Sequence, residues 1–202
     1  MQVHLLLEGQ LEEPVADKLL MHCGHDKGDV YGKKGCNYIH NKAKGFRYLA
    51  QDNCGVLVLT DFRDTGMPCP SDALQNKLFL GISHPHFLCR LAVNELESWL
   101  LADRSSMARF LGISVSTITK NPDYEPFPKK TLVNLARRTH KSSIRKDIVP
   151  EDEHGGIVAP AYLASMTKFI REYWNIADAC KNPPSLNRCV LRLQSLGNST
   201  FL

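Results

Sequence analysis

GVLVLTDFRDTG, residues 55–66, is the stretch on which the fold turns. Val56 to Leu59 are unbroken aliphatic residues, and such a strand suits the interior of a parallel sheet covered on both faces. The run then ends abruptly in Asp61, Arg63 and Asp64. That ending is either an ordinary acidic turn or a set of carboxylates delivered to the carboxyl edge of a sheet, where open α/β folds bind ligands.

Working outward, VHLLL (3–7) closed by Glu8-Gly9 reads as a second buried strand with a tight exit, and HFLCRLAV (86–93) contains a third. EEPVADKLLMH (12–22) reads as a helix: Pro14 fits the first turn, acids lead it, and Val15, Leu19 and Leu20 share a face. Another helix is expected around 71–79. NELESWLLAD (94–103) reads as a helix capped by Asn94, with Ala92, Leu96, Trp99 and Leu100 at helical spacing. The Gly-, Lys- and His-rich segment from His22 to Gly45 reads as irregular. Strands alternating with helices predict an α/β class with a mostly parallel central sheet flanked by helices. Beyond residue 104 helices are expected near 106–111, in TLVNLARRTH (131–140), at 161–174 and at 185–196, with Pro-rich NPDYEPFPKK (121–130) as a link. The expected division is an α/β core over 1–104 and a helical extension over 105–202 packed on it.

At 202 residues the chain suits one well-buried core with a small appendage. It is 43% apolar and 23% charged, the balance of a soluble globule, and it has no apolar stretch long enough to span a bilayer. MQVHLLLEGQ lacks a basic region before its apolar run, so no signal peptide is expected. Seven scattered cysteines suit a reducing cytoplasm better than a disulfide framework. The formal charge of +4 is mild, but Arg137, Arg138, Lys141, Arg145 and Lys146 gather in RRTHKSSIRK (137–146). That cluster is either a phosphate-contacting patch or a solvated helix face.

The acids fall at strand ends: Glu8 after the first, Asp61 at the second, Glu95 and Glu97 after the third. Parallel strands share their carboxyl edge, so these groups can converge despite wide sequence separation. Converging carboxylates repel unless protons or cations offset them. Mg²⁺ or Mn²⁺ fits oxygen-only ligands, activates water and steadies charge on a phosphoryl group. The plainer alternatives are a capping box from Asn94 to Glu97, turn-forming Asp61 and Asp64, and a lone exposed Glu8.

LLLEGQLEE, VLVLTDFRD and RLAVNELESWLLAD, in this order, resemble the Toprim-type domain of a bacterial family described as DUF4276, and NPPSLNRCVLRLQSL resembles its closing helix. The resemblance implies a Toprim-like fold, related to that of OLD-type nucleases, and metal-dependent handling of nucleic-acid phosphodiesters. It implies Glu8 as metal ligand or general acid–base, Asp61 as the first aspartate of an Asp-x-Asp motif, and Glu97 as the helix glutamate. Glu12 or Glu13 would complete a second metal position. The chain departs from the pattern at Arg63, which stands where the second carboxylate would be, with Asp64 one place later. Three readings stay open: Asp64 still reaches the ion, Arg63 holds a phosphate through its planar fork, or the site no longer cleaves.

The expectation is therefore a Mg²⁺- or Mn²⁺-dependent nuclease, cytoplasmic, with Glu8, Asp61, Asp64 and Glu97 catalytic and Glu12 as a further ligand. Arg63, Arg137, Arg138 and Lys141 would receive the backbone of nucleic acid, DNA in preference to RNA. A homodimer is one expected assembly. The alternative, of another class, is a non-catalytic nucleic-acid-binding or ATPase-partner subunit; the chain has no Walker-type loop of its own.

Other signals compete. MARFLGISVSTITK (107–120) imitates a helix-turn-helix, but its second half is β-branched and stops at Asn121-Pro122. His22, Cys23, His25, Cys36 and His40 offer zinc ligands at spacings unlike the paired-cysteine pattern. Cys54 and Cys89 read as small buried hydrophobes, Trp99 and Trp174 as core anchors, and His84, His86 and His154 as loop residues.

Overall fold

The computed structural model describes residues 1–75, 84–151 and 156–196. In chain order its elements begin with β1 (Gln2–Leu7), α1 (Glu12–His22), β2 (Asp26–Gly32), α2 (Cys36–Phe46), β3 (Cys54–Asp61), α3 (Pro70–Asp72) and β4 (Phe87–Ala92). There follow α4 (Glu97–Ala102), α5 (Arg104–Leu111), α6 (Pro128–Ala136) and α7 (Ser142–Ile148). The series closes with α8 (Tyr162–Glu172), α9 (Ile176–Ala179) and α10 (Pro184–Gln194). The chain divides into two compact units, one of residues 1–93 with the segment from Ser185 onward, the other Asn94–Pro184.

The first unit is an α/β structure. Its four strands lie in the order β2-β1-β3-β4, and every neighbouring pair is parallel. Leu5, Leu6, Leu7 and Val56 to Leu59 are wholly buried, as expected of aliphatic strands covered on both faces. α2 covers one face, setting Ile39 and Ala43 against Leu6, Val56, Val58, Cys89 and Leu91. The end of α1 is joined to α10: Cys23 Sγ contacts the Val190 carbonyl at 3.9 Å, and His25 Nε2 lies 2.7 Å from the Leu193 carbonyl.

The order has one consequence for function. The chain leaves β1 for β2 on one side, then crosses to β3 on the other. The strand order therefore reverses between β1 and β3, and in open α/β sheets the crevice at such a reversal is where ligands bind.

The segment read as irregular, His22 to Gly45, holds both β2 and α2. β2 is an edge strand of sequence DKGDVYG with no buried residue, so it carries no hydrophobic alternation; pairing with β1 makes it a strand. α2 buries only Ile39 and Ala43, too few to set a period. The helix expected at 71–79 lies partly outside the described residues, of which Pro70–Asp72 is helical.

The second unit is helical. Its first helix starts at Glu97, not at an Asn94 cap: Leu96 precedes it with no side-chain capping bond, so the capping-box reading fails. Asn94 instead has a left-handed φ of 65° and donates its amide to the Asp123 and Glu125 carbonyls at 3.3 and 2.7 Å. Asn94→Ala removes both bonds and leaves a Cβ residue in a region that asparagine tolerates better. A loss of about 2 kcal/mol is expected in urea melts, with Asn94→Gly losing the bonds but not the conformation. α5 is capped by Asp103 Oδ1, which accepts from Ser106 N at 3.0 Å, and ends at Gly112 with a left-handed φ of 70°. After it comes only a 3₁₀ turn at Val115–Thr117, so the helix-turn-helix imitation has no recognition helix.

Candidate active site at the tips of β1 and β3

Glu8 leaves β1 just as β3 reaches Thr60 and Asp61. Its backbone is held on both sides: Glu8 N donates to the Leu59 carbonyl at 3.3 Å, and Gly35 N donates to the Glu8 carbonyl at 3.0 Å. Glu8 Oε2 accepts from the Thr60 hydroxyl and from Asp61 N, the latter at 3.1 Å. Glu8, Thr60 and Asp61 are all buried, with Asp61 Oδ1 shielded from solvent.

Past Asp61 the ladder makes one more bond, Phe62 N to the Ala92 carbonyl at 2.8 Å, and the chain then turns through the 3₁₀ segment Arg63–Thr65. Thr65 N and Oγ1 both donate to the Phe62 carbonyl, at 3.0 and 2.6 Å, and fix that turn. Arg63 and Asp64 are both exposed on that turn, and the Asp64 carboxyl is a hydrogen-bonding neighbour of the Glu8 carboxyl.

Two carboxyls can hydrogen-bond only if one keeps a proton. Glu8 is held above the ordinary carboxylate range by burial, and the Asp64 carboxyl adds to the rise. The Thr60 hydroxyl and the Asp61 amide, which stabilise the charged form, oppose it.

Among the other expected ligands, Glu12 is buried in the first turn of α1, beside Gly9, where a Cβ would come within 2.9 Å of Glu12 Oε2. Glu13 points elsewhere. It pairs with Lys27 at 2.6 Å and with Lys33, and their hydrogen bonds hold its carboxyl below the usual range. Glu97 belongs to the second unit, where it is 2% exposed. There it accepts from the Tyr162 hydroxyl at 2.8 Å and lies 3.6 Å from Lys129 Nζ; burial raises its pKa against both partners. Glu95 accepts from Lys129 N at 2.9 Å.

The expected basic cluster also lies in the second unit. Arg137, Arg138, Arg145 and Lys146 are exposed there, but Lys141 Nζ donates to the Arg109 and Phe110 carbonyls at 2.8 Å each, closing the end of α5. Cys23 and His25 are engaged with α10, and all seven cysteines are free thiols. His154 lies outside the described residues. No helix among the described residues is long and apolar enough to cross a membrane.

Sequence reasoning missed Thr60 and Gly35. Thr60 had a signal, a single hydroxyl at the end of an aliphatic run. Gly35 had none, because its bond to Glu8 depends on an edge strand that pattern did not reveal.

Among the described residues, no group of three or more His, Cys, Asp or Glu side chains is arranged to hold a metal ion. The Glu8–Asp64 pair is a smaller donor set, of the hard-oxygen kind with which Mg²⁺ combines its own waters and substrate phosphate. Compared with known proteins, the chain matches no family model, no curated protein and no solved structure.

Proposed function

We propose that the chain is a divalent-metal-dependent nucleic-acid phosphodiesterase of Toprim-like type, with its site at the tips of β1 and β3. One observation carries the reading: Glu8 and Asp64, far apart in sequence, are drawn carboxyl to carboxyl beside buried Asp61 at the strand-order reversal. A buried carboxyl with a second carboxyl against it costs stability, and a cation that offsets them gives that cost a use. Glu8 and Asp64, with Asp61 beside them, would hold Mg²⁺ or Mn²⁺. Such an ion lowers the pKa of a water and offsets charge developing on a phosphoryl group.

The chain's own residues orient and exclude. The Thr60 hydroxyl and Asp61 amide fix the Glu8 carboxyl through Oε2. Burial by the strand ends keeps bulk water from Asp61. Arg63, exposed on the same turn, would meet a phosphate. Glu97, committed to Lys129 and Tyr162, is left out of the proposed chemistry.

A second reading, a non-catalytic nucleic-acid-binding or ATPase-partner subunit, draws on the oxygen already engaged on Glu8 by Thr60 and Asp61. The two readings part in one experiment. Under the first, the parent protein cleaves DNA in Mg²⁺ or Mn²⁺, Asp61→Asn does not, and calorimetry shows weaker Mn²⁺ binding by the variant. Metal-independent binding without turnover, unchanged in Asp61→Asn, supports the second and rejects the first.

A further inference from the structure

The Lys-rich segment that joins β2 to β3 has no part in the proposed chemistry. Residues 30–51 hold five of the chain's 25 Lys and Arg residues and none of its 21 Asp and Glu residues. Lys33 is committed to Glu13. Lys34, Lys42 and Lys44 are exposed and Arg47 is partly buried, and none of these four pairs with a carboxylate among the described residues. A solvated helix face ordinarily mixes charges of both signs. This one carries a single sign, and such a face attracts a polyanion.

Aromatic rings lie among the cations. Lys34 Nζ is 5.2 Å from the centroid of the Tyr38 ring, and Lys42 follows Tyr38 by one turn of α2. Just past the helix, Arg47 Cζ is 4.7 Å from the centroid of the Tyr48 ring, and its Nη2 donates to the Tyr48 hydroxyl at 2.9 Å. Tyr48 is nevertheless 71% exposed, so the guanidinium braces a ring that the fold does not bury. Cations that follow a backbone and rings that stack under bases are the means by which single-stranded nucleic acid is held. An anionic membrane, the other extended polyanion, needs an apolar helix face. α2 buries its own against the sheet, where Ile39 and Ala43 are wholly enclosed.

The helix is also aimed. Gly35, which precedes α2, donates its N–H to the Glu8 carbonyl, and after α2 the chain re-enters the sheet at Cys54, opposite Gln2 at the start of β1. The 11 residues of α2 therefore run about 16 Å from the tip of β1 back along the sheet. A strand lying on the helix leads to Glu8.

We propose that the outer face of α2, from Lys34 to Tyr48, is a track on which a single-stranded stretch of nucleic acid approaches the tip of β1. Lys34, Lys42 and Lys44 meet its phosphates, and Tyr48, braced by Arg47, stacks under a base. The inference rests on the phosphodiesterase reading for where the track leads, and on the helix face for its ligand. These are binding residues with no part in the chemistry.

The test uses the full chain in EDTA, so that binding is read without cleavage. A labelled oligo(dT) of about twelve nucleotides, within the span that such surfaces cover, is titrated at several salt concentrations. Tyr48→Ala is expected to weaken binding about tenfold with the salt slope unchanged, and Tyr48→Phe, which keeps the ring, to bind within about twofold of the parent. Lys42→Gln combined with Lys44→Gln should lower the slope by about 1.4, the sum for two contacts to single-strand phosphates. All three side chains are exposed, so thermal melts of these variants should match the parent. Arg145→Gln combined with Lys146→Gln, in the basic cluster of the second unit, should leave affinity and slope at parental values, as should Glu8→Gln. Sedimentation with phosphatidylcholine–phosphatidylserine vesicles is a separate arm, in which no binding is expected.

Parental affinity in Tyr48→Ala, or a parental slope in the Lys42/Lys44 variant, overturns the track. So does a slope that falls only in the Arg145/Lys146 variant. Vesicle binding that the Lys42/Lys44 variant loses, with no response to DNA, overturns the choice of ligand. If the α2 variants respond as expected but the parent does not cleave in Mg²⁺ or Mn²⁺, the phosphodiesterase reading fails and the binding surface stands. Cleavage by the parent with no DNA response in the α2 variants sinks the surface alone.

Discussion

Glu8→Gln is expected to lose metal-dependent cleavage by about a hundredfold or more and yet to unfold at a higher temperature than the parent at pH 8. Both effects come from one carboxyl. The folded chain holds the Glu8 proton to a higher pH than the unfolded chain does, because burial and Asp64 oppose its charge. Through the window between the ordinary value of 4.5 and the raised folded value, the folded state binds more protons, so stability falls as pH rises. Above that window the loss is complete. A glutamine keeps the shape, still accepts from Thr60 and the Asp61 amide, and offers Asp64 an N–H in place of a repelling oxygen. The gain in melting temperature should therefore shrink as the pH is brought below 4.5, where Glu8 is protonated in both states. Glu13→Gln is the matched control with the opposite sign. Lys27 and Lys33 lower that carboxyl, so its contribution is present above the ordinary value and lost as pH falls through the folded one. It is a half-exposed pair, worth little, and cleavage should survive its removal. A Glu8→Gln protein less stable than the parent at pH 8 would show that the carboxyl pair carries no strain.

The same pair shows how far the sequence could be read. VLVLT at 56–60 announces an interior strand through unbroken aliphatics, and β3 is flanked by β1 and β4 as that composition requires. EEPVADKLLMH carries its own first turn and apolar face, and α1 has those bounds. β2 announces nothing, since an edge strand needs no buried face, and its partner β1 supplies the order. Asn94 misleads because a capping residue and a left-handed turn residue have the same side chain; its two bonds to carbonyls 29 and 31 residues away decide between them. The site divides likewise. Glu8 and Asp61 follow from strand ends. Asp64 follows only if the chain loops after Asp61, and the 3₁₀ turn at Arg63–Thr65, fixed by Thr65, is such a loop. Glu97 is the reverse case: a motif position whose carboxyl is engaged with Tyr162 and Lys129, partners that no local pattern links to it.

Gly32→Ala should be the most damaging single methyl in the first unit. Gly32 ends β2 with a φ of +94°, a region costly to any residue with a Cβ, and the added atom would collide with the backbone carbonyl oxygen of Leu7. Neither atom belongs to a side chain that can rotate away. Relief requires β2 to separate from the tip of β1, and two bonds go with it: Lys33 N to the Leu7 carbonyl at 2.7 Å and Gly35 N to the Glu8 carbonyl at 3.0 Å. A loss above about 3 kcal/mol is expected, the range of backbone strain compounded with lost hydrogen bonds. Gly35→Ala separates the two causes. Its φ is +80°, but a Cβ there meets nothing within 4 Å, so only the conformational cost of about 1–2 kcal/mol applies. Urea unfolding of both variants reads the difference, and equal losses would mean that β2 does not press on the β1 tip. If the difference is found, the edge strand that sequence left invisible is what holds the Glu8 backbone against β3. The carboxyl pair is then set by the fold and not by the two acids alone.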